Sequence, residues 1–179
     1  MFFVKFEDIF NNKKMKRLFF LFLILSFIFS CKKPEKYSDI PYISYIGMPV
    51  KDTHDTLGNA IKRAQLSFYL VDGDGNVGFE EGDTFPPYEI TGNYYYNLFI
   101  EMYELKNGQY SLVELAAPFN FRTKYIEPIG QNKTLKCSIY VNLDFNIPVS
   151  WDSVKFNFHM YDRALNKSNE VSTGLILLN

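Results

Sequence analysis

Alternation of apolar and polar residues is the feature that most restricts the fold of this chain. Residues 135–145 carry Leu, Cys, Ile, Val, Leu and Phe at every second position, with polar residues between them. Residues 154–161, 64–71 and 94–104 repeat the pattern. Because successive side chains of a β-strand point to opposite faces, a two-residue period predicts strands with one buried face. Shorter segments of the same character are 41–47, 110–115, 119–125 and 171–178.

These segments predict an all-β fold. Seven or eight strands separated by turn residues fit an antiparallel sandwich of the immunoglobulin or fibronectin III type, preceded by an N-terminal signal helix. Asn107-Gly108 between two segments is typical of a two-residue hairpin turn. The Cys…Trp…Cys pattern of antibody domains is missing, because Trp151 falls in a predicted loop. A small barrel is the alternative architecture.

An uncharged apolar run at residues 18–30 follows a stretch rich in Lys and Arg. A helix needs about 20 apolar residues to span a bilayer, so this run is short for a membrane span. It suits the core of an export signal, and residues 1–30 are predicted to be a signal peptide. Translation starts either at Met1 or at Met15, which stands directly before two basic residues.

The apolar run ends in Ile28-Phe29-Ser30-Cys31, which resembles the bacterial lipobox. The resemblance implies that Cys31 receives a diacylglyceryl anchor, that the signal is removed there, and that the new N-terminus is acylated. Two or three acyl chains anchor a protein durably. We therefore expect an outer-membrane lipoprotein of the cell envelope, on the periplasmic or the surface face. A cleaved secretory signal or an uncleaved anchor is the alternative. Residues 31–39 are predicted to be a tether, and residues 40–179 the sandwich domain.

The composition of residues 31–179 narrows the function classes. This part carries 14 basic and 18 acidic residues, a net charge of −4, so nucleic acid is not an expected partner. With Cys31 lipidated, Cys137 has no disulfide partner, and its apolar neighbours predict a buried, inert thiol. The two histidines, His54 and His159, have no predicted partner, and no catalytic motif is present. We expect a non-catalytic protein, with an enzyme as an alternative.

Oxygen-bearing side chains are concentrated in the loop that follows the second predicted strand. Asp72, Asp74 and Asn76 match positions 1, 3 and 5 of an EF-hand loop, and Asp83 matches position 12. Val77 replaces the EF-hand glycine, and the flanks are strands, so a true EF-hand is not expected. Ca²⁺ takes six to eight oxygen ligands, which makes the loop a candidate Ca²⁺ site. The alternative is a glycine-rich turn whose Asp and Asn side chains cap their own backbone.

A second polar loop lies between the last two predicted strands. In a sandwich of this type, the loop after the second strand and the loop before the last strand share one end of the fold. Asp162 and Asn166 are therefore predicted to lie near Asp72 and Asp74 and to add ligands to the same ion. Alternatively, Arg163 neutralises the acidic loop without a metal.

Three aromatic residues, Tyr95, Phe99 and Tyr103, are predicted to share one face of the strand over residues 94–104. Such a row offers apolar faces with polar tips, which suit stacking on sugar rings or contact with another protein. A glycan or an envelope protein is thus a candidate partner. The alternative is cross-strand pairing on a half-buried sheet.

Residues 67–78, Ser-Phe-Tyr-Leu-Val-Asp-Gly-Asp-Gly-Asn-Val-Gly, resemble a signature of small, uncharacterised lipoproteins of Bacteroidetes-type bacteria. That signature is a strand followed by DGDG(N/D)(V/I)G. Residues 83–88 and 161–169 are similar to later motifs of the same group. The resemblance covers most of residues 37–179 and implies a lipidated β-sandwich without an established activity.

Overall fold

The computed structural model describes residues 13, 14, 16, 17, 19–21, 35–129 and 132–179. The chain divides into two compact units, Met1–Glu35 and Lys36–Asn179. In the first unit, the described residues between 13 and 21 are helical and exposed. No helix in this described part is long and apolar enough to cross a membrane. The predicted lipidation site, Cys31, lies outside the described residues.

The second unit consists of β-strands in two antiparallel sheets. The strands are β1 (Tyr42–Gly47), β2 (Val50–His54), β3 (Ala60–Asp72), β4 (Leu98–Lys106), β5 (Gln109–Leu112), β6 (Phe119–Phe121), β7 (Leu135–Asn146), β8 (Ser153–Met160), β9 (Val171–Ser172) and β10 (Ile176–Leu177). The sheets do not close into a barrel, so the predicted all-β, antiparallel sandwich is confirmed.

Three pairs of strands each occupy one edge of a longer strand and can be counted as one interrupted strand. The pairs are β1 with β2, β5 with β6, and β9 with β10. β1 and β2 pair with the two halves of one edge of β3, and β7 pairs with its other edge. β4 pairs with β8 on one side and with β5 and β6 on the other. The outer edge of β8 carries β9 and β10. With each interrupted strand taken as one, three strands face four, as in a fibronectin III-like sandwich.

The core lies between the two sheets and is built from the side chains that the alternation places inward. In β7, Leu135 and Leu143 are buried while the polar residues next to them are exposed. Phe68 of β3 and Phe158 of β8 are fully buried, with ring centroids 5.2 Å apart. Each such burial contributes about 1.5–3 kcal/mol. Cys137 is half-buried, and burial raises the pKa of its thiol, which keeps it protonated.

The start of β4 and the presence of β2 differ from the prediction. β4 begins at Leu98 rather than at residue 94, because turns precede it: Gly92 N–H donates to Glu89 O, and Tyr95 N–H donates to Gly92 O. β2 was not predicted, because an edge strand is held by backbone pairing and needs no alternating apolar side chains. The Asn107-Gly108 turn is confirmed, with φ values of 52° and 78°.

Asn169 closes the free edge of β1. Its Oδ1 accepts a 2.8 Å hydrogen bond from Ile43 N–H, and its Nδ2 donates a 2.8 Å bond to Ile43 O. The side-chain amide thus takes the place of a neighbouring strand.

Asn169→Ala is expected to lower the free energy of unfolding by about 2 kcal/mol, because both part-buried backbone groups of Ile43 lose their partner. Urea denaturation measures this loss. Asn146→Ala, at an exposed position of β7, is the control and is expected to change stability by less than about 0.5 kcal/mol. Equal effects of the two variants would contradict a bridging role for Asn169.

Candidate metal centre

Three aspartates meet at one end of the sandwich. Asp72 is the last residue of β3, Asp74 lies in the loop that follows, and Asp162 follows β8. Each offers a carboxylate oxygen, and these three oxygens lie within 4.8 Å of one another. The predicted proximity of Asp162 to Asp72 and Asp74 is therefore confirmed. These three residues are called the Asp cluster below.

The loop after β3 folds tightly around its own side chains. Asn76 N–H donates a 3.0 Å bond to Asp72 Oδ2, and Asn76 Nδ2 donates a 2.7 Å bond to Asp74 Oδ2. Gly75 between them has a φ of 67°, which favours glycine. A side chain at Gly75 would also overlap the carbonyl oxygen of Lys133. A Cβ at Gly73, the other glycine of the DGDG sequence, would overlap the carbonyl oxygens of Tyr37 and Ser38. Both glycines therefore let the loop lie close to neighbouring backbone segments.

A backbone segment, residues 123–126, holds this loop from outside and is called the strap. Phe79 N–H donates to Thr123 O at 2.9 Å, and Tyr125 N–H donates to Phe79 O at 2.9 Å. Ile126 N–H adds a 3.1 Å bond to Val77 O. The strand predicted over residues 119–125 therefore ends at Phe121, because the chain leaves β4 and pairs with the loop instead.

The second loop presents Asp162 to the cluster. Asn166 donates twice to this carboxylate, from its backbone N–H to Oδ1 at 2.7 Å and from Nδ2 to Oδ2 at 2.8 Å. Arg163 N–H donates a 3.0 Å bond to Asn76 O and joins the two loops directly. Asn166, predicted as a ligand, thus lies beside Asp162 and positions its carboxylate.

Two of the three aspartates of the Asp cluster are buried, and the cluster has no cationic partner among the described residues. Asp72 and Asp162 are fully buried. Asp72 Oδ1, Asp74 Oδ1 and Asn76 Oδ1 are buried oxygens without a hydrogen-bond partner in the described structure. No Lys or Arg among the described residues forms an ion pair with any of the three aspartates. Buried carboxylates without a counter-charge are costly, so this arrangement favours a proton or a bound cation.

The pKa values of the cluster move in the direction that burial and repulsion dictate. Burial, and then the negative charge of Asp74, raise the pKa of Asp72 to about 7. Burial also raises the pKa of Asp162, although its bonds from Asn166 act in the opposite direction. A divalent cation would therefore compete with a proton for Asp72 near neutral pH.

Asp83, predicted at position 12 of a metal loop, does not join the Asp cluster. Its Oδ1 receives a 2.9 Å bond from Arg163 Nη2, and its Oδ2 receives a 2.8 Å bond from Glu80 N–H. Arg163 also pairs with Glu80 at 3.3 Å. Because the strap turns the chain at Phe79, the second half of the loop meets Arg163. The alternative of neutralisation by Arg163 holds for that half, while the cluster stays unneutralised.

The predicted aromatic row is divided in the structure. Phe99 and Tyr103 lie on one face of β4, but Tyr95 lies in the turn before it, with the Arg122 guanidinium 5.1 Å from its ring. Phe99 stacks on His159 with ring centroids 5.4 Å apart. Tyr103 donates a 2.8 Å bond to Glu101. These rings therefore contact other side chains of the same domain.

The two histidines lie on different sheets. His54 is exposed at the end of β2. His159 of β8 is half-buried against Phe99, and burial lowers the pKa of its imidazole. In the part of the chain that the structure describes, neither histidine has a hydrogen bond to a carboxylate, and His159 contacts the rings of Phe99 and Tyr161.

Arg122 stabilises the loop between β3 and β4, and the sequence did not predict this role. It donates to Asp83 O at 2.6 Å and to Tyr95 O at 2.8 Å, and its guanidinium lies 4.4 Å from the Phe79 ring centroid. It thereby joins three parts of the loop between β3 and β4 to the segment after β6. A single Arg directly after a short strand is not part of any repeating sequence pattern, so the alternation of apolar and polar residues could not predict its role.

Fold and geometry together define an all-β sandwich protein with a largely buried Asp cluster where two loops meet. Comparisons with protein-family models, with curated proteins and with solved structures find no match to this chain. The fold and the side chains of the site are therefore the basis for any functional proposal.

Proposed function

We propose that this protein is a lipid-anchored module of the bacterial cell envelope that binds or supports other components without catalysis, and that it holds one Ca²⁺ ion at the Asp cluster. The observation that carries the ion proposal is the burial of Asp72 and Asp162 beside Asp74 with no cationic partner in the described structure. Anchoring follows from the lipobox-like sequence that ends at Cys31.

The donor atoms suit Ca²⁺ better than other common metals. They are oxygens only, from Asp72, Asp74 and Asp162, with Asn76 Oδ1 as a fourth donor beside them. Oxygen ligands select hard cations, and the irregular loop geometry fits the flexible shell of Ca²⁺ rather than the strict octahedron of Mg²⁺. Water or a ligand would complete the shell. Two positive charges would offset most of the formal charge of −3.

An ion at the Asp cluster would stabilise the two loops that contact residues 38 and 39, the segment just before β1. Gly73 N–H, next to Asp72, donates a 2.8 Å bond to Ser38 O. Asn166, which holds Asp162, donates a 3.4 Å bond to Asp39 O. The last residues of the predicted tether therefore pack against both loops of the Asp cluster. We infer a structural role for the ion at the anchored end of the module.

Isothermal titration calorimetry with CaCl₂ tests the ion proposal. The expected result is one site per chain, with weaker binding of Mg²⁺. Asp162→Asn is expected to weaken Ca²⁺ binding at least about tenfold, since it removes a ligand charge. Asp52→Asn is the matched control, because Asp52 is an exposed carboxylate on β2. Absence of heat from Ca²⁺ binding, or equal affinity in both variants, would refute the site.

The affinity for Ca²⁺ is expected to fall as the pH drops below about 7. The folded-state pKa of Asp72 is raised above its unfolded value, so protonation stabilises the ion-free fold at low pH, and this contribution disappears as the pH rises through about 7. Ca²⁺ must displace that proton, so its affinity is expected to drop by about tenfold per pH unit below the pKa. Calorimetry at pH values on both sides of that pKa measures the slope, and a flat profile would contradict it.

A further inference from the structure

A cavity of about 440 Å³ opens beside the Asp cluster. Its wall includes Asp74 and Asn76 from the loop after β3 and Tyr125 from the strap. The rest is contributed by Gly75, Glu127, Pro128, Asn132 and Lys133. Because Asp74 belongs to both the cluster and the wall, an ion held by the cluster would lie at the border of this cavity.

We propose that this cavity binds a neutral, hydroxyl-rich ligand, such as one sugar unit of a glycan, through Ca²⁺ and the side chains around it. The proposal rests on the ion site proposed above and adds the class of ligand. A second observation supports a ligand at the cluster: the side chain of Asp72 is fully buried, and its Oδ1 has no partner in the described structure.

The cavity wall offers the groups that a sugar ring requires. Glu127 accepts hydrogen bonds from hydroxyl groups, Asn132 accepts and donates, and Lys133 donates. Tyr125 and Pro128 give apolar surface for the C–H face of the ring. Pockets of a few hundred Å³ with a few directed polar groups are typical small-ligand sites. The hydroxyl oxygens of a sugar are also hard ligands that Ca²⁺ accepts.

The charges around the cavity favour a neutral ligand over an anionic one. Ca²⁺ on three carboxylates leaves a formal charge of −1. Glu127 and Lys133 are both exposed and cancel one another, and neither forms an ion pair within the described residues. A phosphate or a uronate would therefore meet net negative charge, whereas a neutral polyol would not.

The test uses the full-length protein in detergent with and without Ca²⁺, and the probes are free glucose, galactose, mannose and fucose. Calorimetry is expected to show binding of at least one of them in Ca²⁺ and none in EDTA. The double variant Glu127→Ala/Lys133→Ala keeps the net charge, so it is expected to weaken sugar binding at least about tenfold and to leave the Ca²⁺ affinity within about twofold.

The matched control removes an equivalent pair elsewhere. Glu104→Ala/Lys106→Ala breaks an ion pair of 2.8 Å at the C-terminal end of β4. This variant is expected to leave the affinities for Ca²⁺ and for the sugar unchanged. Ca²⁺ binding without any sugar binding, or sugar binding that persists in EDTA, would overturn the ligand proposal and leave the ion site standing. Tighter binding of glucuronate than of any of the neutral sugars would overturn the neutral class. Absence of Ca²⁺ binding would overturn both proposals.

Discussion

Addition of Ca²⁺ at 100 times its Kd is expected to raise the melting temperature of the protein by about 8 °C. Binding to the folded state alone at that concentration adds about 2.7 kcal/mol to the free energy of unfolding. For a domain of this size, 1 kcal/mol corresponds to about 3 °C. The ion would relieve repulsion among Asp72, Asp74 and Asp162, whose oxygens lie within 4.8 Å of one another. Thermal unfolding followed by circular dichroism in Ca²⁺ and in EDTA measures the difference.

Asp74→Asn separates this mechanism from general ion effects. The amide keeps the shape of Asp74 and an oxygen for the bond from Asn76 Nδ2, but it removes one charge from the cluster. We expect a higher melting temperature than wild type in EDTA, because the substitution removes a negative charge that repels the Asp72 carboxylate. In Ca²⁺ most of the shift is expected to be lost. A variant less stable than wild type in EDTA, with its Ca²⁺ shift intact, would refute the repulsion mechanism.

Asp83→Asn is the matched control at the position that the EF-hand pattern also predicted. Asp83 pairs with Arg163 at 2.9 Å and lies outside the Asp cluster. Its substitution is expected to lower stability slightly and equally in Ca²⁺ and in EDTA, and to keep the Ca²⁺ shift. If Asp83→Asn removed the shift, the ion would be held by the second half of the loop.

Gly78→Ala is expected to cost about 3 kcal/mol or more of stability. Gly78 has a φ of 87°, and a Cβ there would overlap the carbonyl oxygen of Lys124 in the strap. Because the obstacle is backbone, it moves only if the bonds from Phe79 and Tyr125 that hold the strap are strained. The loop would shift together with Asp72 and Asp74, so the Ca²⁺ affinity is expected to fall as well. Urea denaturation and calorimetry measure the two effects.

Two other glycines separate the causes. Gly58 has a φ of 86°, but no atom lies within 4 Å of the position that a Cβ would take, so Gly58→Ala is expected to cost about 1 kcal/mol for the backbone conformation alone. Gly82 has open space and no positive φ, so Gly82→Ala is expected to be neutral or slightly stabilising. If Gly78→Ala lowered the free energy of unfolding no more than Gly58→Ala, the contact between Gly78 and the strap would not contribute to the cost.

The sandwich could be predicted because its information is local and repeated. The long alternating runs in β3, β7 and β8 report one buried face each, and burial of that face holds the strands together. Strands without that burial, such as β2, exist through backbone pairing at an edge and leave no such pattern. The start of β4 was misplaced because the row of tyrosines at residues 94–96 has strand-like composition but forms turns.

The Asp cluster could be predicted in part. The first loop is rich in oxygen-bearing residues, and in a sandwich of this type the second loop lies at the same end. These two facts were sufficient to predict that Asp162 lies near Asp72 and Asp74. The fate of Asp83 could not be predicted, because it depends on the strap and on Arg163, which come from distant parts of the chain. Spacing along one loop describes an EF-hand only when nothing else bends that loop.

A structure from crystals grown in CaCl₂ tests most directly the central claim that the Asp cluster binds Ca²⁺. The expected result is a single density peak with the anomalous signal of calcium, about 2.3–2.6 Å from oxygens of Asp72, Asp74 and Asp162. A peak beside Asp83 and Glu80, or a fully ordered Asp cluster without any calcium signal at saturating CaCl₂, would contradict the claim.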